Sequence, residues 1–291
     1  MNRSISRYFH IFSELSKLTI SFSVALSAFT GFVLKAKEIS NDLILPVLGV
    51  FLLSSGSAAL NHIQEKKLDA LMNRTLNRPL PSGEVSIRTA LFFSLLLIIL
   101  GSVLLFMSNF YAFLLGILAL VWYNLIYTNL KRKTAFAAVP GAIIGAIPPI
   151  IGWVAAGGKI LDYHILVVAF FFFIGQIPHF WLILLKYGKE YEIAGFPSLT
   201  KVFNDVQIKR LTFTWIVAVA VSSLLFPLAK ILTSTFTITS LFIISILLIL
   251  SFSNNIFSKK NAFKFGRAFF HLNLYFLFVM ILLIISALLT L

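Results

Sequence analysis

The chain has 291 residues, of which 59% are apolar and 12% charged, and its mean hydropathy of +0.97 lies far outside the range of soluble globular proteins. A net charge of +14 suggests a nucleic-acid ligand, but with the N-terminus inside, every Lys and Arg except Lys35, Lys37, Lys159 and Lys230 falls in an inner segment. The basicity is therefore a topology signal, and the absence of cysteine excludes disulfides, thiolate catalysis and cysteine metal sites.

Apolar runs long enough to cross a bilayer, about 20 residues each, occur over Leu18–Leu34, Leu43–Leu60, Thr89–Phe106, Phe110–Thr128, Phe136–Ala156, Tyr163–Leu185, Leu211–Leu228, Thr235–Phe252 and Ala268–Leu289. The sequence thus predicts an all-α polytopic membrane protein of about nine spans. With the positive-inside rule, an odd number of spans places the N-terminus in the cytoplasm and the C-terminus outside, in the cytoplasmic membrane. The first run follows Arg3, Arg7 and Lys17, exceeds a signal h-region and precedes no A-x-A-like cleavage site, so it is expected to be retained.

In chain order, the first span has a small-residue face that includes Gly31, suited to close approach by another helix. The second has Pro46, Gly49 and the small residues Ser54 to Ala59, then runs into Asn61-His-Ile-Gln-Glu65-Lys-Lys-Leu-Asp69. If the helix continues, Asn61, Glu65 and Asp69 stand at i, i+4 and i+8 and share an arc of roughly 80°. Lys67 projects away from that arc. Arg74 and Arg78 follow, with guanidiniums suited to phosphate oxygens, and Pro79 to Glu84 forms a turn. Oxygen donors beside such cations point to a magnesium–diphosphate site, because Mg²⁺ is usually held by one or two carboxylates plus substrate phosphates.

The third and fourth spans form a hairpin about Ser108-Asn109. The fourth ends in Tyr127, Lys131 and Arg132, level with the acidic segment and candidates for diphosphate contact, whereas Trp122 and Lys133 suit an interfacial belt. The fifth is interrupted by Pro140-Gly141, Gly145 and Pro148-Pro149, so a substrate cavity is expected beside it. In the sixth, Gln176 and His179 are either interhelical hydrogen-bond partners or substrate contacts. Lys186, Lys189 and Glu190 follow on one helical face, with Tyr191 next to them and Glu192 on the other side. His10, His62, His164 and His271 are read as interfacial residues without a role. Ser258-Lys259-Lys260-Asn261 reads as a basic anchor. Spans two and six both deliver an acidic, basic-flanked loop to the inner side. The chain therefore reads as one domain, 1–291, with pseudo-repeat halves at about 15–134 and 135–253 plus a last helix at 268–289.

The pattern Asn61-x3-Glu65-x3-Asp69-x2-Met72-x-Arg74-Thr75-x2-Arg78-Pro79-Leu80-Pro81 resembles the first signature of the UbiA-type intramembrane prenyltransferases, in the form of their haem-O-forming farnesyltransferase branch. Two later blocks agree. One is Tyr127-Thr128-x2-Lys131-Arg132-x-Thr134 with Gly145-Ala146-x-Pro148-Pro149-x2-Gly152-Trp153; the other is Pro178-His179-Phe180-Trp181 with Tyr191-x2-Ala194-Gly195-x-Pro197. The resemblance implies a UbiA-type helical bundle around a central cavity, farnesyl diphosphate and haem B as substrates, membrane lipid as surroundings, no nucleic acid, and haem A synthase or oxidase assembly factors as partners. It implies that Asn61, Glu65, Asp69 and Glu190 ligate Mg²⁺ and act in catalysis, with Arg74, Arg78, Tyr127, Lys131, Arg132, His179, Lys189 and Tyr191 on the substrates. Departures are Glu65 for Asp, Lys67 for an acid, and Lys189-Glu190-Tyr191 for Asp-Asp-Tyr. The altered acids motivate one rival, transfer to another acceptor such as a quinone precursor or lipid, while the intramembrane polar residues and broken helices are also what a non-catalytic transporter or haem assembly factor would show.

Overall fold

The structure, a computed structural model, describes residues 2–257 and 264–289, so the basic anchor at 258–261 lies outside the described residues. Among them, nine helices are long and apolar enough to cross a membrane. They follow an amphipathic helix α1 (Asn2–Leu15), too short to be a span and not foreseen. Helix α2 is Leu18–Ala36 and α3 is Ile44–Asp69. The latter runs one continuous course through the acidic segment, as the i, i+4, i+8 reading requires.

Helix α4 (Ile87–Ser108) and α5 (Phe110–Val121) make the expected hairpin. Asn109 caps α5 by accepting from the amides of Tyr111 at 2.8 Å and Ala112 at 3.3 Å. Beyond Val121 the chain widens into a π-helical turn, Trp122–Tyr127, before one further α-turn, Thr128–Leu130.

The fifth span is broken at Pro140-Gly141, with short turns at Ala135–Ala137 and Ala138–Gly141, but not at the other expected breakers: α6 (Ile143–Ala155) runs on through Gly145, Pro148 and Pro149. One carbonyl at the break, that of Pro140, accepts from the Trp122 indole at 2.8 Å. Helix α7 is Tyr163–Lys186 and α8 is Gly188–Ile193. Helices α9 (Asp205–Ser223), α10 (Thr235–Phe257) and α11 (Phe265–Leu289) complete the bundle.

The small-residue face of α2 serves the purpose read from it. A Cβ on Gly31 would lie 1.9 Å from the Pro149 carbonyl oxygen, and one on Gly152 would lie 1.8 Å from that of Ala28. Helices α2 and α6 therefore touch backbone to backbone. Between the membrane-facing helices lies a core that includes Phe171, Phe226, Phe252, Leu241 and Leu283.

Candidate active site

Asn61, Glu65 and Asp69 are all buried, at 3%, 7% and 2% exposure, on one face at the end of α3. In apolar surroundings such carboxylates need partners, and the partners come from far along the chain. Lys131 Nζ stands 2.7 Å from the Glu65 carboxylate, and Arg78 donates to Asp69 Oδ2 at 2.8 Å. The Asn61 amide donates to Thr128 Oγ1 at 3.1 Å. Lys67 is exposed, off this face, as expected.

The segment after α3 folds back over this face. Thr75, fully buried, donates to the Asp69 carbonyl at 2.7 Å and so caps α3. Gly83 takes a positive φ of 79°, which closes the Pro79–Val85 turn. Met72 packs with Ala194, Phe196 and Tyr191 in one apolar cluster that joins this segment to the loop after α8. The same contact is made in polar terms: the Arg74 backbone amide donates to Glu190 Oε2 at 2.9 Å. The first and second acidic segments thus meet on one side of the bundle.

Several candidate residues have other immediate partners. The Arg74 guanidinium stacks on Tyr187 at 4.6 Å and donates to the Tyr191 hydroxyl at 3.2 Å. Arg132 donates to the Gln64 carbonyl at 2.9 Å and so ties the α5 extension to α3. Lys189 is exposed; its charge acts on Glu192, which accepts from Thr200. Helix α7 ends at Lys186 and Tyr187 has φ −116°, so the shared face expected of Lys186, Lys189 and Glu190 is interrupted. Beside the broken span, Tyr127 packs against Gly141 and Gln176 against Gly145.

His179 sits deeper, its ring 4.7 Å from Phe269 and 6.0 Å from Phe180, with Nδ1 buried and unpartnered among the described residues. His62 is not interfacial: it is 1% exposed, beside Lys17, Arg78 and Lys131. Tyr191, outside the spans, is kept a neutral phenol because burial raises its pKa, against the opposing pull of Arg74.

Sequence reasoning missed Lys17, which it counted only as an inner charge. Helix α1 ends beneath the Pro79–Val85 turn, where Ile11 and Leu15 pack on Leu80 and Val85. The chain then turns through Lys17 in the left-handed conformation, φ 47° and ψ 53°, and Nζ reaches 3.4 Å from Asn61 Oδ1. As at Lys37 and Lys230, a non-glycine residue there is strained by about 1–2 kcal/mol. Burial, then Arg78 and Lys131, lowers its pKa to about 7 against the pull of Glu65 and Asp69. The signal in the sequence was a basic residue at the very start of a span, beside no other feature.

Four cations, Lys17, Arg74, Arg78 and Lys131, and three carboxylates therefore surround one site. The chain matches the UbiA prenyltransferase family over residues 24–275. It belongs to that family. It is accordingly an integral membrane prenyltransferase. It is 39% identical over 202 residues to the protoheme IX farnesyltransferase of Geobacter sulfurreducens, covering 69% of this chain and 75% of that one. It is 34% identical over 224 residues to the protein of the same name from Oleidesulfovibrio alaskensis, covering 77% and 79%. In fold it is similar to a UbiA homolog from Archaeoglobus fulgidus solved with GPP and Mg²⁺, with a TM-score of 0.67 at 13% identity over 94% of this chain and 99% of that one.

The donor set suits a magnesium ion: the carboxylates and the Asn61 amide offer hard oxygens, and His and Cys are not among them. Among the described residues no three histidine, cysteine or acidic side chains are placed to hold an ion as they stand, and Glu65 and Asp69 are each engaged by a cation.

Proposed function

We propose that the protein transfers a farnesyl group from farnesyl diphosphate to a vinyl group of haem B, with addition of water, giving haem O and free diphosphate. The observation that carries this reading is the pairing of buried Glu65 and Asp69 with Lys131 and Arg78 at a site that also receives Glu190. The acceptor comes from the protoheme IX farnesyltransferases to which the chain is similar.

Asn61, Glu65, Asp69 and Glu190 are the residues that would hold Mg²⁺. When bound, the ion would neutralise charge on the departing diphosphate. The chain's own cations do the rest. Lys131 and Arg78, released from the carboxylates, turn to the diphosphate oxygens, and Lys17 adds charge from the α1–α2 turn. Once turned to the diphosphate, these cations lower the barrier by stabilising the charge that develops on it as the allylic C–O bond breaks. Arg74 holds the covering segment against Tyr187 and Tyr191, which restricts water at the reacting carbon. The site faces the cytoplasm of a cytoplasmic-membrane protein, and haem A synthase or oxidase assembly factors would receive the product.

The test uses purified protein in detergent with Mg²⁺, farnesyl diphosphate and haem B. Hydroxyethylfarnesyl haem, lost with EDTA and regained with Mg²⁺, is expected. Absence of that product beside an active relative would overturn the acceptor.

A further inference from the structure

Helix α1 reaches the active site through its own C-terminal end. Only Ser16 and Lys17 separate it from the first span, α2, so a tilt of α1 is carried to the Lys17 Nζ that stands 3.4 Å from Asn61 Oδ1. The helix is divided lengthwise. Ile11 and Leu15 are buried on Leu80 and Val85, whereas Tyr8 and Phe9, at 58% and 71% exposure, are left uncovered by the described residues. Arg7 and His10 are exposed as well. Arg3 precedes Arg7 by four residues, and the one acid of the helix, Glu14, is half-buried in its last turn.

A helix with an uncovered apolar strip and a basic polar face lies in a bilayer surface. Its depth can be read from α4. The Phe12 ring packs 4.6 Å from that of Phe93, six residues and so about 9 Å beyond the Ile87 end of α4, within the roughly 5–10 Å to which interfacial helices sink. Beside this contact, α1, α3 and α4 form an open groove of about 200 Å³, lined by Phe9, Phe12, Phe51, Leu52, Phe93 and Leu97. On α4 it is flanked by Phe92 and Leu96, both exposed, so the groove meets lipid. Two of its hydroxyls, those of Ser13 and Ser16, donate to their own helix at the His10 and Phe12 carbonyls. The third, on Ser55, is buried there without a partner among the described residues. A leftover buried hydroxyl calls for an acceptor from outside the chain. The ester carbonyl at the head of a fatty acyl chain supplies one in an otherwise apolar groove, and the phosphate of the same lipid suits the Arg7 guanidinium.

We propose that α1 and this groove bind an anionic glycerophospholipid of the leaflet in which α1 lies, one acyl chain between Phe12 and Leu97 and the headgroup on Arg7, and that the docked helix holds Lys17 at Asn61. The inference rests on the proposed role of Lys17 as a diphosphate contact: lipid and substrate then favour the same position of α1, and each raises the affinity for the other. Arg7 selects an anionic headgroup over a zwitterionic one. The groove makes the response that of a site and not of the general charge of the membrane.

The experiment places the full-length protein in nanodiscs of phosphatidylcholine alone or mixed with phosphatidylglycerol. Without substrates, trypsin cleavage after Lys17, identified by mass, reads how firmly the turn is held. With Mg²⁺, farnesyl diphosphate and haem B, diphosphate release gives KM. Phosphatidylglycerol should slow the cut and lower KM for farnesyl diphosphate by up to about fivefold, the factor that the attraction of one arginine to an anionic surface supplies, with kcat unchanged. Arg7→Gln should lose both responses. Leu97→Trp, which fills the groove and leaves every charge in place, should lose them too. Responses that survive in Leu97→Trp come from surface potential alone and overturn the site. Equal cleavage in the two membranes, as an empty groove or a second copy seated in it would give, overturns it as well. Protection of Lys17 with an unchanged KM would refute the link to substrate. If phosphatidylglycerol protects Lys17 in the parent and not in Leu97→Trp, yet no membrane supports diphosphate release, the lipid site stands and the proposed transfer falls.

Discussion

Replacing Asp69 with Asn separates a catalytic carboxylate from a structural ion pair. Asp69 and Arg78 meet at 2.8 Å with side chains 3% and 19% exposed. At an effective dielectric of 20 their attraction is about 6 kcal/mol before desolvation is subtracted, and desolvation cancels most of it. What remains differs between the partners. Asp69→Asn leaves a guanidinium that already reaches solvent, so the expected cost in stability is about 1 kcal/mol. Arg78→Met leaves a nearly sealed carboxylate without its cation and should cost about 3 kcal/mol.

Catalysis should follow the opposite order at this pair. Asp69→Asn removes a candidate metal ligand and should lower kcat by about 10²–10³-fold, the usual consequence of losing one charge-stabilising group. The two variants are compared by melting in detergent and by diphosphate release with Mg²⁺. If Asp69→Asn melts far below the parent yet turns over within threefold of it, the carboxylate holds the fold together and does not take part in the reaction.

The strained turn at Lys17 predicts an unusual trade. Lys17→Gly should hold or raise the melting temperature, because glycine accepts the left-handed φ of 47°, while KM for farnesyl diphosphate rises about tenfold with loss of a charge contact; an unchanged KM would remove Lys17 from the site. At Glu190, Gln can still accept the Arg74 amide whereas Ala cannot. Both should lose Mg²⁺ affinity, read as the metal concentration for half-maximal turnover, but only Glu190→Ala should also make the Met72–Arg74 segment easier to proteolyse. Gly152→Leu would drive a side chain into the Ala28 carbonyl and should lower the yield of folded protein in detergent severely, whereas a tolerated leucine would contradict the α2–α6 contact. The Thr200 hydroxyl donates to Glu192 and holds its carboxyl below the ordinary value of 4.5. A depressed carboxyl pKa stabilises above the unfolded value and is lost as pH falls through the folded one, so Glu192 should titrate below 4.5 by NMR in the parent and return toward it in Thr200→Val.

Some of this chemistry was legible one residue at a time. A helix running through Asn61, Glu65 and Asp69 must bring them to one face, and that arrangement is local. Arg74, Arg132 and Lys189 were chosen as cations near the motifs. Their neighbours within the protein, Tyr187 and Tyr191, the Gln64 carbonyl and Glu192, depend on how loops fold across helices. His62 shows the same limit, because it is buried and its charged neighbours, Lys17, Arg78 and Lys131, come from three other parts of the chain.

From the order of its residues alone, this protein was bound to be a polytopic helical membrane protein with an oxygen-rich face at the end of one helix. Hydropathy, span length and helical period act over at most a few turns and need no knowledge of neighbours. Which cation meets which carboxylate was decided only by the tertiary structure: Lys131 comes 66 residues from Glu65, Lys17 comes 44 from Asn61, and the Arg74 amide meets Glu190 across 116. Contacts at such separations are set by backbone approach at Gly31 and Gly152, by the π turn after α5 and by the left-handed turn at Lys17, none of which has a periodic signature in the sequence.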